Sequence, residues 1–184
     1  MVKINKMYTG KGDGGKTHLV SGKRVSKADL RIKANGAIDE LNAIMGIVRV
    51  KCSRKIKNVV AEIQNDLFDL GADISYPLKP KPKFEVLRIT DRQVIRLERT
   101  IDKHKLPELN SFILPGGTES ASFLHIARTV ARRAEIQLIE LSNREKINVQ
   151  ALKYMNRLSS LLFSLSRVEN NNGKKDLWKP GKNV

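Results

Sequence analysis

Five segments of the 184-residue chain carry apolar residues at helical spacing, and this pattern restricts the fold more than any other feature. Apolar side chains that recur every three or four residues form a stripe along one side of a helix and are buried together. The segments cover residues 28–50, 55–75, 91 onwards, 119–142 and 148–170. Three prolines between 77 and 82 and the Leu-Pro-Gly-Gly stretch at 114–117 interrupt the pattern, because proline cannot continue a helix. The sequence therefore predicts an all-α five-helix bundle, with Thr90 as the N-cap of the third helix.

A glycine-rich stretch, YTGKGDGGKT at residues 8–17, precedes the helices. Four of its residues fit the spacing of a phosphate-binding P-loop: Gly10, Gly15, Lys16 and Thr17. A P-loop connects a buried strand to a helix, whereas here only nine residues precede Gly10 and Gly22 interrupts the sequence that follows. We therefore predict an anion-binding arm in a different fold, with a glycine-rich loop that binds nothing as the alternative.

The helices divide the chain into three parts within one domain. We assign the N-terminal arm to residues 1–27, the helical bundle to 28–170 and a polar tail to 171–184. In the tail, Trp178 is the residue best suited to pin the chain locally.

The first and fourth predicted helices each carry a second surface that a helix facing solvent would not have. On the first helix, small and apolar residues and one acid lie opposite the apolar stripe: Gly36, Asp39, Ala43, Gly46 and Val50. On the fourth, arginines and an acid lie near isoleucines: Arg128, Arg132, Glu135, Ile136 and Ile139. Two guanidinium groups one turn apart suit a polyphosphate or the carboxylate of a partner, and a solvated basic surface is the alternative. Together the two surfaces predict an oligomer.

The charge balance favours anionic ligands without identifying them. The chain has 35 Lys and Arg residues against 19 Asp and Glu, a formal net charge of +16. Such a field attracts nucleotides and nucleic acids. Aromatic residues are only 5% of the chain, however, and no groove-reading motif is present, so nucleic-acid binding is a secondary hypothesis.

The residues that usually ligate metals or attack substrates are scattered. His18, His104 and His125 lack metal-ligand spacing, and Cys52 is the single cysteine. We therefore expect neither a metal site built from protein ligands nor an internal disulfide, which fits a cytoplasmic protein. No apolar run reaches membrane-spanning length and no signal peptide is evident, so no membrane association is expected.

Four blocks, in order, resemble the PduO-type ATP:cob(I)alamin adenosyltransferases. They are YTGKGDGGKT, RVSKADLRIKANGAIDELNAIMG, FILPGGTESASFLHIARTVARRAE and YMNRLSSLLFSLSR. The resemblance implies a homotrimer of five-helix bundles with active sites at the subunit interfaces. It also implies that cob(I)alamin attacks C5′ of ATP, which yields adenosylcobalamin and triphosphate, with Mg²⁺ on the ATP phosphates. A reductase and an adenosylcobalamin-dependent enzyme are the further partners that it implies.

The resemblance also implies roles for individual residues. Asp39 and Arg128 match an acid and an arginine that pair across the subunit boundary, and Phe112 matches an aromatic residue that covers the lower face of the corrin ring. The positions that match nucleotide contacts are Thr9, Gly10, Lys11, Gly12, Thr17, His18, Lys27, Arg132, Arg133, Ala134, Glu135, Ile136 and Asn156.

Two departures from the family pattern leave an alternative function open. Ile136 replaces the final arginine of the R-R-A-E-R motif, and Ser160 stands where the family usually has aspartate. Met155 and Ser26 are milder replacements. If the first two changes remove catalysis, the chain is a corrinoid or nucleotide carrier that binds the same ligands without reaction.

Overall fold

Five α-helices account for most of the structure, a computed structural model that describes residues 8–78, 85–170 and 176–183. They are α1 (Leu30–Lys51), α2 (Lys57–Ser75), α3 (Asp91–Lys103), α4 (Glu119–Ser142) and α5 (Val149–Glu169). The predicted all-α bundle is confirmed, and the helices lie within a few residues of their predicted positions. Parts of the predicted arm, of the proline-rich connection and of the tail lie outside the described residues.

Polar side chains fix the N-termini of four of the helices. Asp29, Thr118 and Asn148 each accept a hydrogen bond from a backbone N–H two or three residues later, at 2.9–3.1 Å. Thr90 is the N-cap of α3, as predicted, and its N–H donates to the side chain of Gln93 at 3.1 Å. These bonds satisfy N–H groups that have no partner within the helix, so they define where each helix begins.

The apolar stripes meet in one core. α4 packs between α1 and α5, while α2 packs against α1 and α3 packs against α5. Side chains such as Leu41, Leu124 and Leu158 are fully buried there. Burial of a side chain of this size contributes about 1.5–3 kcal/mol. The bundle therefore holds α4 rigidly, with one side in the core and the other at the surface.

Two buried carboxylates join the outer helices to the core. The fully buried Tyr154 of α5 donates to Asp66 of α2 at 2.9 Å, and Arg96 of α3 pairs with the same carboxylate. Burial, together with the neighbouring Asp66, raises the pKa of Tyr154 well above its ordinary value. Asp73 accepts from the Arg88 guanidinium at 2.6 Å.

The N-terminal arm contains a short β-hairpin that the sequence did not predict. β1 (Lys16–His18) pairs antiparallel with β2 (Arg24–Ser26). Gly15 has φ +72°, which favours glycine, and its carbonyl accepts from the N–H of Lys27 at 2.8 Å. The hairpin thus brings Lys27 back beside the glycine-rich stretch.

Candidate active site

A wide cleft of about 1080 Å³ lies beside α4 and α5 and is closed on one side by the segment 109–113 and the C-terminal residues 177–180. Its lining includes Phe112, His125, Arg128, Arg132, Ser160 and Trp178. Four of these were identified from the sequence. Arg128 and Arg132 were predicted to bind an anion, Phe112 matched a residue that covers the corrin ring, and Ser160 departed from the family pattern. The fold therefore gathers residues from four separate stretches of the chain around one opening.

Phe112 stands at the cleft with most of its ring exposed (76%). The C-terminal segment pairs with the irregular segment that carries Phe112: the N–H of Trp178 donates to the carbonyl of Phe112 at 2.8 Å, and the N–H of Leu114 donates to that of Asp176 at 2.8 Å. The rings of Phe112 and Trp178 are tilted by 51°, with centroids 6.0 Å apart. An apolar surface thus forms one wall, and Trp178 anchors the tail as predicted.

Arg128 and Arg132 of α4 contribute positive charge to the cleft, which Lys179 of the C-terminal segment also lines. They lie one turn apart on α4, as the i,i+4 spacing predicted, and both line the opening. Among the described residues, neither forms an ion pair, and the Nε of Arg128 is buried without a hydrogen-bond partner. A buried donor without an acceptor is costly, so the pair is suited to an anion from outside the protomer.

His125 lies next to these arginines but is packed as a neutral ring. It is buried, and its ring meets Phe163 edge-on at 6.2 Å. Burial, and to a lesser degree the charge of Arg128, lowers the pKa of His125. Nδ1 has no hydrogen-bond partner among the described residues. The imidazole therefore forms part of the cleft lining and carries no charge at neutral pH.

Asp39 lies in a different place, a groove of about 440 Å³ between α1 and α2. Gly36 and Gly71 keep this groove open, and the ring of Phe68 stands exposed (71%) at its edge. Within the part of the chain that the structure describes, Asp39 forms no ion pair, and it does not line the cleft of Arg128. One protomer therefore does not bring the acid and the arginine together.

The stretch from Arg132 to Ile136 is divided among several surfaces, because successive residues of a helix point about 100° apart. Arg132 lines the cleft, whereas Arg133 pairs with Glu40 of α1 at 2.5 Å. Ala134 is fully buried in the core. Its side chain therefore cannot reach a ligand in the cleft.

The other half of this stretch meets α5. Glu135 accepts a hydrogen bond from Asn156 at 2.9 Å, and the Arg157 guanidinium donates to the oxygen of the same amide at 2.6 Å. Ile136 is exposed (55%). Asn156 and Glu135, two positions that the sequence singled out separately, thus form one contact.

The arm residues also form a local cluster. Thr9, Gly10 and Lys11 are exposed, and Thr17 and His18 belong to β1. A Cβ at Gly12 would lie 3.0 Å from the Nζ of Lys27, so the amine sits directly over the glycine backbone. A flexible cation over an open backbone is a fitting place for phosphate.

Two further findings concern metals and membranes. No group of three or more His, Cys, Asp or Glu residues capable of holding a metal ion occurs in residues 8–78, 85–170 and 176–183. Over the same residues, no helix has the length and apolar character required to cross a bilayer.

Sequence reasoning missed the partners of the Phe112 segment. Ser111 donates to the carbonyl of Trp178 at 2.7 Å, and Phe163 lines the cleft beside His125. Both contacts join residues far apart in the chain, which a local pattern does not record. The only sequence feature that pointed to such a contact was the single tryptophan, Trp178, within a polar tail.

The amino-acid sequence is similar to those of known adenosyltransferases. A family model described as cobalamin adenosyltransferase matches residues 7–169. A corrinoid adenosyltransferase of Mycobacterium leprae (strain TN) is 43% identical over 189 aligned residues, which cover 98% of both chains. That of Bacillus subtilis (strain 168) is 42% identical over 90% of this chain and 86% of its own.

Two solved structures have the same fold as this chain. An alanine-for-phenylalanine variant of the PduO-type ATP:corrinoid adenosyltransferase from Lactobacillus reuteri, complexed with cobalamin and ATP, superposes with a TM-score of 0.87. The match has 35% sequence identity and covers 95% of this chain and 99% of that chain. A lysine-for-arginine variant from the same organism, complexed with ATP, has a TM-score of 0.85 and 37% identity over 94% of this chain and 100% of its own.

The environment of His125 gives a testable titration. Because burial and Arg128 both disfavour the imidazolium, we expect His125 to titrate below the ordinary histidine pKa. The stability that the neutral ring contributes is present above the ordinary value and is lost as the pH falls through the lowered one. Arg128→Gln should raise the pKa of His125 while leaving it below the ordinary value, as measured by NMR of the ring protons.

His104 is the internal control for this titration. Its pKa is lowered by burial and by Lys103, so Arg128→Gln should not move it. An unchanged His125 titration in the variant would contradict the electrostatic effect of Arg128 on the imidazole.

Proposed function

We infer that this chain, which belongs to the cobalamin adenosyltransferase family, is an ATP:corrinoid adenosyltransferase. It transfers the 5′-deoxyadenosyl group of ATP to cob(I)alamin and releases triphosphate. The observation that carries this conclusion is the cleft, which is lined by the apolar rings of Phe112 and Trp178 and by two guanidinium groups that form no ion pair with the described residues. The guanidinium groups suit an anionic leaving group and the apolar rings suit a large planar ring.

The reaction requires that C5′ of ATP be positioned next to cobalt and that the charge of the triphosphate be stabilised, and the residues of the site are suited to both. The cobalt of cob(I)alamin is itself the nucleophile and forms the bond to C5′, while the bond from C5′ to the triphosphate oxygen breaks. No protein nucleophile is needed. Arg128 and Arg132 would stabilise the negative charge that develops on the leaving triphosphate. Lys11 and Lys27 of the arm would hold the phosphates so that C5′ lies in line with cobalt.

A magnesium ion fits this arrangement as a companion of ATP. Mg²⁺ binds readily through phosphate oxygens and needs few protein carboxylates. The described part of the chain offers no cluster of acidic ligands for it, which is consistent with a cation carried by the nucleotide. The metal would neutralise phosphate charge, and the arginines would orient the chain of phosphates.

Phe112 would act on the corrinoid before the transfer. Cob(II)alamin carries an axial ligand beneath the cobalt, and this ligand makes reduction to cob(I)alamin harder. An apolar ring in that place would displace the ligand and favour the four-coordinate state, which is more readily reduced. The exposed ring of Phe112 at the cleft supports this role.

The site would be completed by a second copy of the chain, in a homotrimer. Asp39 lies in the groove of α1 and α2, whereas Arg128 lies in the cleft, and neither has an ion-pair partner within the described protomer. A contact across the subunit boundary would satisfy both. Exposed apolar side chains on the predicted second surfaces support the same assembly: Val50 on α1, and Ile136 and Ile139 on α4.

The predicted cellular setting follows from the same proposal. Cytoplasmic location fits the free thiol of Cys52. A reductase would supply the electron for cob(II)alamin, and an adenosylcobalamin-dependent enzyme would consume the product.

The carrier alternative rests on Ile136 and Ser160, the two departures from the family pattern. Ser160 lines the same cleft as Arg132, and a serine there adds no negative charge to the cleft. The serine favours anion binding in the cleft, and the transfer needs no protein nucleophile at this position. We therefore favour the enzyme over the carrier and over a nucleic-acid-binding bundle.

A single assay separates these functions. We expect the protein, incubated with ATP, Mg²⁺ and chemically reduced cobalamin, to convert the visible spectrum to that of adenosylcobalamin and release triphosphate. Omission of ATP is the control. Tight binding of ATP and cobalamin without spectral conversion would identify a carrier and refute the enzyme.

The role of Phe112 predicts a difference between two substrates. Phe112→Ala should slow conversion that starts from cob(II)alamin by about 100-fold or more, because an apolar ring that contributes about 3 kcal/mol to the four-coordinate state is lost. Conversion from chemically generated cob(I)alamin should fall much less. Equal losses in the two assays would exclude a role for this ring in the reduction step.

A further inference from the structure

The last turn of α5 touches the segment that carries Phe112 at both of its ends. At the entry, the guanidinium of Arg167 donates to the carbonyl of Pro107. At the exit, Glu169 and Asn170 contact Gly117 and Thr118, where α4 begins. Between these points the segment leaves the bundle surface and presents its aromatic ring to the cleft.

The contact between Asn170 and Gly117 is the closest of these. Gly117 has φ +103°, a conformation that favours glycine, and a Cβ there would lie 2.5 Å from three side-chain atoms of Asn170. The amide of Asn170 is buried and accepts from the N–H of Thr118 at 3.3 Å. No side chain larger than hydrogen fits between the backbone and this amide.

Glu169 ties the same turn to the connection between α1 and α2, which lies at the same end of the bundle. Its carbonyl accepts from the hydroxyl of Thr118 at 3.3 Å. Its carboxylate accepts from the N–H and the hydroxyl of Ser53, at 2.9 and 2.6 Å, in the connection between α1 and α2. These contacts hold the last turn of α5 in place. Asn170 is therefore rigidly placed, and it determines the position of the segment that carries Phe112.

The ring of Phe112 depends on such a fixed point because its own side chain has little support. It is 76% exposed and its tilted contact with Trp178 comes from the C-terminal segment, not from the helical core. The direction of the ring is thus determined by the backbone between residues 111 and 118. A shift of about 1 Å at a reacting group is enough to change a rate markedly.

We propose that Asn170 is a positioning residue for the reduction step: its amide packs on Gly117 and sets the path of the segment, so that Phe112 occupies the place of the axial ligand of cob(II)alamin. The proposal rests on the adenosyltransferase function and on the role of Phe112. Asn170 touches neither substrate. It acts only through the backbone that it holds.

The test compares the two cobalamin oxidation states in the full-length protein. For Asn170→Ala we expect turnover from cob(II)alamin with a reductant to fall about tenfold, while turnover from chemically generated cob(I)alamin stays within about twofold of the original. Electron paramagnetic resonance of cob(II)alamin bound with ATP should show a smaller four-coordinate fraction. Asn143→Ala, which removes an exposed asparagine at the C-cap of α4, is the matched control and should change neither rate.

A second variant keeps the test decisive if the first does not fold. Gly117→Ala leaves Asn170 in place but inserts a Cβ into the contact, so it should shift the same ratio of rates and the same resonance signal. Circular dichroism and the melting temperature establish that each variant is folded. An unchanged ratio of rates in either folded variant, or an equal loss from both substrates, would overturn the proposal. Absence of turnover from cob(I)alamin in the original protein would instead refute the proposed function.

Discussion

The positive charge of Arg128 and Arg132 is the feature on which the rest of the account depends. Both guanidinium groups project from the side of α4 that faces away from the core, and the protomer provides neither with a carboxylate among its described residues. Arg128 is half-buried and its buried Nε has no acceptor among the described residues, whereas Arg132 is exposed. A charge that is partly withdrawn from water requires a partner. The leaving triphosphate and the acid of a neighbouring subunit are the two partners that the proposed reaction provides. The bundle keeps the charges in place because the other side of α4 is buried between α1 and α5.

The apolar wall of the cleft would serve the other proposed step, the reduction of cob(II)alamin. Arginines on a rigid helix suit the transfer step, in which charge leaves the adenosyl group. Phe112 stands on an irregular segment that is held from two directions, by the end of α5 and by the C-terminal residues that pair with it. An irregular segment can present a ring at an angle that no helix provides. The two proposed steps of the reaction would thus draw on two different kinds of support in the fold.

The sequence predicted those parts of the structure that are encoded by patterns among neighbouring residues. Helical stripes give α4 its bounds to the residue, and Thr90 begins α3 as expected, because burial and capping act over a few neighbouring positions. The hairpin at 16–26 was missed since strands of three residues are too short to show alternation. The contact of Asn170 with Gly117 was missed because it joins residues 53 positions apart, and nothing near either residue indicates the other. The family motif around Ala134 runs through consecutive residues, whereas the helix turns that side chain into the core.

The central claim is that Asp39 of one copy and Arg128 of another frame a shared site, and subunit mixing tests it directly. Asp39→Asn and Arg128→Gln would each impair every site of a homotrimer, because each site needs both residues. When the two variants are unfolded together and reassembled in equal amounts, three quarters of the trimers are mixed and each has one intact site, so about a quarter of the original activity should return. Activity that stays at the level of the separate variants, or a fully active protein that sediments as a monomer, would contradict the shared site.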